Sequence, residues 1–226
     1  MNYKDRHRSF YYEGAEIADV DLPLDSTGLL IIDIQNYNME VPSETENPQD
    51  YQRWLPFFTR MRETVIPNTG RLLSAFRAKN RPVFFARIAA LRKDGSDRSL
   101  SQRRPGFNNL LLPADDRISR VVDDLKPIDD EIVVVKTTDS ALTGTNLRLI
   151  LHNMGVTNLV VCGIYTDQCV SCTVRSLADE SVNVVVVEDA CAAATDELHN
   201  MELKIMNNIY CQVLNTEETL TFINLP

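Results

Sequence analysis

The sequence lacks any long apolar run. No hydrophobic stretch approaches the ~20 residues that a membrane-spanning helix needs, and residues 1–6 have none of the apolar character of a secretory signal. The chain also contains no internal repeat and no low-complexity tract. We therefore expect a cytoplasmic protein that does not bind a membrane.

Cysteine and positive charge are both scarce. Five cysteines is an odd number, which argues against a disulfide framework and predicts reduced thiols. Lys and Arg total 23 against 32 Asp and Glu, a net charge of −9. Because nucleic-acid binders present a basic face, this balance argues against a nucleic-acid partner.

The composition that remains is that of a protein with a hydrophobic core. At 226 residues, with 44% hydrophobic and 24% charged residues, the chain suits one α/β domain over residues 1–226. Residues 1–25 mix charged and aromatic side chains without periodicity. We expect them to form a surface arm that packs on a neighbouring subunit.

Strand patterns and helix patterns alternate about six times along the chain. Right-handed crossovers between such units produce a parallel sheet sandwiched between helices. Polar residues 37–53 predict a loop, and 92–113 an insertion. The predicted strands are 27–36, 82–87, 131–136, 158–162, 183–188 and 209–214; the predicted helices are 67–79, 118–125, 145–154, 167–180, 195–207 and a short one from 216.

Cys169 lies where a buried strand turns into a helix. Thr166 and Asp167 are typical N-cap residues, so Cys169 is expected in the first helical turn, where free N–H groups and the helix dipole favour a thiolate. The same N–H groups can stabilise an oxyanion, so this turn can supply both the nucleophile and the oxyanion hole. The alternative is a buried structural cysteine, an interpretation that fits Cys162 and Cys211 better.

Two charged residues end other predicted strands. Asp33 closes the first apolar run and Lys136 closes the third. Asp33 is either a turn cap or a site residue, and Lys136 either extends to solvent or projects into the cleft at the carboxyl edge of the sheet. Together with Cys169 they supply a base, a cation and a nucleophile.

The sequence resembles the isochorismatase-like cysteine hydrolase superfamily, whose amidohydrolase branch includes N-carbamoylsarcosine amidohydrolase, biuret hydrolase and ureidoacrylate amidohydrolase. The resemblance runs from about Thr27 to Leu214. It depends on three motifs in this order and spacing: Leu-Ile-Ile-Asp-Ile-Gln-Asn at 30–36, Val-Val-Lys at 134–136 followed by Ser-Ala-Leu at 140–142 and Thr145, and Gly-Ile-Tyr-Thr-Asp-Gln-Cys-Val at 163–170.

The resemblance implies specific roles and an architecture. Asp33 is the implied general base, Lys136 the electrostatic partner and Cys169 the nucleophile. A cis peptide between Ile164 and Tyr165 is implied, with the Tyr165 and Cys169 N–H groups as the oxyanion hole. The implied fold has three α/β/α layers around a six-stranded parallel sheet, assembled as a homodimer or homotetramer.

The resemblance also indicates the kind of substrate. The nicotinamidase branch holds a metal soon after the second strand, but this chain has Ala-Arg-Ile-Ala-Ala at 86–90, and its histidines, His7, His152 and His199, lie elsewhere. We therefore expect no metal and no cofactor. Isochorismatase proper, a vinyl-ether hydrolase, lacks the nucleophilic cysteine, so Cys169 favours cleavage of a small amide, ureide or carbamoyl compound.

Several interpretations stay open at this point. The substrate contacts we expect are Asn36, Tyr37, Trp54, Arg87 and Tyr165. Within the insertion 92–113 the arginines either lie in a solvated loop or supply one guanidinium that grips a substrate carboxylate. The pair Cys169 and Cys172 also fits a thiol–disulfide oxidoreductase and, more weakly, a zinc site, and a non-catalytic member of the fold is a further alternative.

Overall fold

In residues 2–224, the part of the chain that the computed structural model describes, six parallel strands form a sheet in the order β3-β2-β1-β4-β5-β6. Helices flank this sheet, which confirms the predicted three-layer α/β/α class. The strands are β1 Thr27–Ile32, β2 Val83–Ile88, β3 Ile132–Lys136, β4 Asn158–Ile164, β5 Asn183–Ala192 and β6 Gln212–Leu214. The helices are α1 Pro48–Arg60, α2 Ile66–Ala78, α3 Leu147–Asn153, α4 Ser171–Asp179, α5 Asp196–Met206 and α6 Thr216–Asn224.

The central strands carry apolar side chains on both faces because helices cover both sides of the sheet. Every residue of β1 and of β4 is buried. Thr195 caps α5 by accepting a hydrogen bond from the Leu198 N–H, so the predicted start of that helix is confirmed. β1 and β4 pair side by side at the centre of the sheet, so their carboxyl ends lie next to each other.

The prediction of a loop over residues 37–53 is partly wrong. Helix α1 begins within it at Pro48, behind the cap residue Asn47, whose side chain accepts from the Asp50 N–H. The helical backbone then continues through a π-helical turn, Met61–Val65, into α2. Pro67, predicted as the start of a new helix, lies instead just after this π turn, where the local change of hydrogen-bond spacing accommodates its missing N–H.

The helix predicted at 118–125 is absent from the structure. Two short 3-10 turns, Arg117–Ser119 and Asp123–Leu125, occupy this segment instead. Between them Val121 is extended and forms an antiparallel bridge with Gln35. The Val122 N–H also donates to the Ile34 carbonyl at 3.1 Å, so pairing with the chain beyond β1 replaces helical hydrogen bonds.

The N-terminal arm is anchored to its own chain. Arg6 lies 2.8 Å from Glu188 and pairs with Glu218, and His7 lies 2.6 Å from Glu188. Val20, near the end of the arm, is buried in the core. Packing of the arm on a neighbouring subunit stays a prediction. None of the helices in residues 2–224 has the length and apolar character needed to cross a membrane.

Candidate active site

Three charged or nucleophilic residues converge at the carboxyl edge of the sheet. Asp33 directly follows β1, Lys136 is the last residue of β3, and Cys169 lies in a π-helical turn, Thr166–Val170, that follows β4 and leads into α4. β3 lies at one edge of the sheet, and β2 separates it from β1. The long lysine side chain therefore has to cross the end of β2 to reach the other two groups.

The distances define a compact triad. Lys136 Nζ lies 2.7 Å from Asp33 Oδ2 and 3.3 Å from Cys169 Sγ, and it donates to the Thr138 carbonyl at 3.1 Å. Asp33, Lys136 and Cys169 are only 4%, 1% and 7% exposed. The three residues that the sequence analysis grouped are thus in one buried cluster. Their catalytic roles remain proposals.

The backbone around Asp33 fixes the position of its carboxylate. Asp33 adopts a φ of 53°, the left-handed region that Asp tolerates better than most residues. Its N–H donates to the Ala86 carbonyl at 2.9 Å, which extends the sheet pairing by one residue. Its carbonyl accepts from Asn38 Nδ2 and from the Gln35 N–H, both at 2.9 Å.

Gly163 lets β4 approach β1 closely just before the nucleophile turn. Its φ is 129°, and a Cβ atom at this position would lie 2.0 Å from the Ile32 carbonyl oxygen, so no larger residue fits. The following peptide bond, between Ile164 and Tyr165, is cis. The hydrogen bonds found in the described residues include none donated by the Tyr165 N–H, which makes this group a candidate oxyanion donor.

Burial dominates the electrostatics of the triad. It raises the pKa of the Asp33 carboxyl, although Lys136 lowers it. Burial is the largest single influence on the pKa of Lys136 and lowers it, but the charges and hydrogen bonds of Asp33 and Cys169 together outweigh burial, so the pKa ends above its ordinary value and the ammonium persists. Burial raises the pKa of the Cys169 thiol well above its ordinary value, despite Lys136. At rest, an ion pair between Asp33 and Lys136 therefore lies beside a neutral thiol.

This resting state corrects the expectation of a thiolate. Thr166 was expected to cap a helix, but it is the first residue of the π turn, and Tyr165 occupies the cap position without a side-chain cap bond. Cys169 is too well buried for the dipole of this turn to offset the lost hydration of a thiolate. The sulfur therefore needs to lose its proton to a base during the reaction.

Two of the expected substrate contacts are engaged elsewhere. The Arg87 guanidinium donates to the Ser119 carbonyl and hydroxyl at 3.1 and 2.9 Å and to the Ala114 carbonyl at 2.9 Å. Asn36 Nδ2 donates to the Arg117 carbonyl at 2.9 Å. Both side chains brace the loop 114–119, so their contact with substrate stays a prediction that this geometry does not favour.

Aromatic side chains gather next to the nucleophile turn. Trp54 stacks on Phe107 with ring centroids 5.7 Å apart, and Phe107 meets Tyr165 edge-on at 5.5 Å. Phe57 contacts both Trp54 and Tyr165. Tyr37, another expected contact, is half-buried in the 3-10 turn Asn36–Met39. Three of the expected contacts, Tyr37, Trp54 and Tyr165, therefore remain candidates for substrate binding.

The insertion 92–113 reaches these aromatic residues with a phenyl ring instead of a guanidinium. Phe107 provides that ring. Arg98 donates to the carbonyls of Gly95, Gln102 and Leu110 within the insertion, and Arg92 pairs with Asp94. The alternative in which one arginine grips a substrate carboxylate is not favoured by the contacts of Arg98 or Arg92.

One site residue escaped the sequence analysis. Asp139 Oδ1 lies 3.9 Å from Cys169 Sγ and accepts a hydrogen bond from Gln102 Nε2 at 2.6 Å. The available signal was its position, three residues after Lys136 in the loop that leaves the carboxyl end of β3. Nothing in its local pattern distinguishes it from an ordinary loop aspartate.

A buried histidine supports the nucleophile turn. His199 Nδ1 lies 2.8 Å from Thr166 Oγ1, and Arg60 Nη2 donates to His199 Nε2 at 2.9 Å. Burial and the Arg60 charge lower the pKa of His199 to about 3, so the ring is neutral and its Nδ1–H donates to the threonine hydroxyl. No role was predicted for His199 from the sequence.

The other four cysteines are free, and the described residues contain no cluster of metal ligands. Cys172 is exposed and unpaired, while Cys162, Cys191 and Cys211 are buried free thiols. Within residues 2–224, no three His, Cys, Asp or Glu side chains come together as metal ligands would. The expectation that the protein uses no metal or cofactor stays a prediction.

Known proteins share this architecture. The family model described as "Isochorismatase domain" matches residues 27–218. A probable inactive nicotinamidase of Arabidopsis thaliana is 30% identical over 81% of this chain and 89% of its own, and an N-carbamoylsarcosine amidase of an Arthrobacter species is 27% identical over 75% and 65%. The crystal structure of a cysteine hydrolase from Pseudomonas syringae pv. phaseolicola superposes with a TM-score of 0.76 at 21% identity, covering 92% of this chain and 97% of the other.

Proposed function

Because the chain belongs to the isochorismatase family of hydrolases, we propose that it is a cysteine hydrolase that cleaves a C–N bond of a small amide, ureide or carbamoyl compound through a thioester. The observation that supports this proposal most strongly is the contact of Cys169 Sγ with Lys136 Nζ, which is itself paired with Asp33. A buried thiol beside a cation that is itself paired with a base is an arrangement suited to nucleophilic catalysis.

The first half of the reaction forms the thioester. Cys169 Sγ attacks the substrate carbonyl carbon while its proton moves to the Asp33 carboxylate, whose pKa burial has raised toward that of a useful base. The carbonyl oxygen becomes an oxyanion, which the Tyr165 and Cys169 N–H groups stabilise. The C–N bond then breaks, and the leaving nitrogen takes the proton from Asp33.

The second half releases the acid. Water attacks the thioester carbon and gives a proton to Asp33, and the C–S bond breaks as the oxyanion collapses. The sulfur leaves as a thiolate and recovers its proton from Asp33. Lys136 keeps its charge throughout, so it stabilises the negative charge on sulfur at the moment when the charge appears there.

Turnover of a panel of small amides and ureides by three variants tests this mechanism. Cys169→Ala should reduce kcat/KM at least about a thousandfold, because it removes the nucleophile. Asp33→Asn should reduce it by about a hundredfold or more, because the amide accepts no proton. Cys172→Ser is the matched control and should keep full activity. Near-normal turnover by either of the first two variants would contradict the mechanism.

The alternatives differ from this proposal in measurable ways. A vinyl-ether hydrolase would cleave an enol ether and tolerate Cys169→Ala. A thiol–disulfide oxidoreductase would lose activity in Cys172→Ser as well as in Cys169→Ala. A non-catalytic member of the fold would turn over none of the amides, and its Cys169 would stay inert to electrophiles.

Location and assembly are proposed with the function. A cytoplasmic protein should be found in the soluble fraction after gentle lysis of its source cells, with its five cysteines reduced. A homodimer or homotetramer should elute at two or four times the mass of 25.6 kDa in light scattering coupled to size exclusion. A monomeric mass at micromolar concentration would contradict the assembly.

A further inference from the structure

A second carboxylate lies near the nucleophile and is not part of the ion pair of the triad. Asp139 Oδ1 lies 3.9 Å from Cys169 Sγ and receives a hydrogen bond from the buried Gln102. Asp139 forms no ion pair with any cation in the described residues, and its Oδ2 accepts no hydrogen bond among them. One carboxylate oxygen is therefore held in place, and the other is available to a ligand.

The charges around the sulfur sum to a negative value. Asp33 and Lys136 compensate each other at 2.7 Å, which leaves the charge of Asp139 unbalanced beside a neutral thiol. Three nearby guanidinium groups are engaged elsewhere: Arg87 at Ser119, Arg98 within its own insertion and Arg175 at Glu202. Arg103 and Arg104, which follow Gln102 in the chain, are exposed to solvent.

We propose that Asp139 makes this site select substrates by charge, favouring small amides or ureides that carry a cation or an uncharged N–H donor within a few bonds of the scissile carbonyl. Asp139 Oδ2 accepts a hydrogen bond from that group, and a substrate that carries a carboxylate there is disfavoured. This inference rests on the proposed hydrolase function, since it names the substrate class of the same site. Asp139 is a specificity-determining residue in this account and takes no proton in the reaction.

The charge of Asp139 can be measured at Cys169 without any substrate. Aminoethyl methanethiosulfonate is a cation and sulfonatoethyl methanethiosulfonate is an anion; each transfers its alkylthio group to a thiolate to give a mixed disulfide and releases methanesulfinate. The ratio of their rates at Cys169 cancels the thiolate fraction. It therefore reports the local potential alone.

The protein for this experiment carries Cys172→Ser, so that the exposed cysteine does not react, and intact-protein mass spectrometry follows the modification. We expect the cation-to-anion ratio at Cys169 to exceed that at 2-mercaptoethanol by about tenfold, since a charge roughly 6 Å away changes each rate about threefold even at the dielectric constant of water. Asp139→Asn should lower the ratio about tenfold. Asp179→Asn, which removes the same charge from the exposed end of α4, should change it less than twofold.

A second measurement uses the unmodified protein and matched ureides. Aminoethylurea, propylurea and N-carbamoylglycine carry a cation, a methyl group and a carboxylate at the same place. We expect kcat/KM, or protection of Cys169 from alkylation where turnover is slow, to fall in that order, with at least about tenfold between the first and the last. In Asp139→Asn the three ureides should differ much less in kcat/KM or in protection of Cys169.

Two results would overturn the inference directly: the same reagent ratio with and without Asp139, or a preference for the anionic ureide. A Cys169 that neither reagent modifies at pH 8.5 would also overturn it, because a pocket closed to small reagents cannot select among small substrates. These outcomes are distinct from failure of the proposed function. An altered reagent ratio without any amide turnover would support the charge of the site and refute the hydrolase.

Discussion

The buried imidazole of His199 should make this protein less stable as the pH falls below neutral. The ring is 3% exposed and joins the Arg60 guanidinium to the Thr166 hydroxyl at the start of the nucleophile turn. Burial and the Arg60 charge lower its pKa from 6.5 to about 3. The native protein therefore keeps this ring neutral down to acidic pH.

The sign and size of the effect follow from the two pKa values. In the unfolded chain the ring takes up a proton near pH 6.5, whereas the native ring does not until the pH approaches 3. Stability from this group is complete above pH 6.5 and is lost as the pH falls from there toward the native pKa. At pH 5 the loss is about 2 kcal/mol, because each pH unit below 6.5 contributes about 1.4 kcal/mol.

Urea unfolding at pH 7.5 and at pH 5, followed by circular dichroism, measures this loss. His199→Gln keeps a neutral donor and acceptor but does not titrate, so its free energy of unfolding should fall by about 2 kcal/mol less between the two pH values than that of the unmodified protein. His152→Gln, at an exposed position on α3, is the control and should follow the unmodified protein. An unchanged pH dependence in His199→Gln would refute the reasoning.

Three further perturbations follow from the packing. Gly163→Ala places a methyl group 2.0 Å from a backbone oxygen and should cost more than about 3 kcal/mol of unfolding free energy; a loss below about 1 kcal/mol would be inconsistent with this contact. Lys136→Met leaves the buried Asp33 carboxylate uncompensated and should lower the free energy of unfolding by about 3–5 kcal/mol. Adding Asp33→Asn should restore part of this loss, and equal stability of Lys136→Met and the double variant would count against the ion pair. Phe107→Ala, at a side chain that is 48% exposed, should speed alkylation of Cys169 severalfold and change stability by less than about 1 kcal/mol; an unaltered rate would show that the ring does not cover the site.

The convergence of Asp33, Lys136 and Cys169 was predictable because topology alone brings them together. Asp33 follows β1, Lys136 ends β3 and Cys169 lies in the turn after β4, and the carboxyl ends of parallel strands share one edge. The strand patterns located these ends to within a few residues: the third strand ends at Lys136 as predicted, β1 ends before the predicted limit of 36, and β4 continues past the predicted limit of 162. Long-range placement therefore followed from local patterns in this part of the chain.

The protonation state of Cys169 was not predictable in the same way. It depends on how completely the fold removes water from the thiol, and no local pattern encodes that burial. The position of Asp139 was not predictable for a similar reason. Its distance from the sulfur depends on the path of the loop after β3 and on Gln102 from a separate insertion. The missing helix at 118–125 shows a third case, in which pairing with Gln35 overrides a local preference.

The most direct test of the account is the search for an acyl group on Cys169. The protein is mixed with an activated ester or amide of a small acid, quenched in acid within milliseconds, and analysed by intact mass and peptide mapping. The account predicts one adduct with the mass of the acyl group, located on Cys169, that forms and decays at rates compatible with turnover and is absent from Cys169→Ala. Full turnover without any adduct, or an adduct on another residue that is kinetically competent, would contradict it.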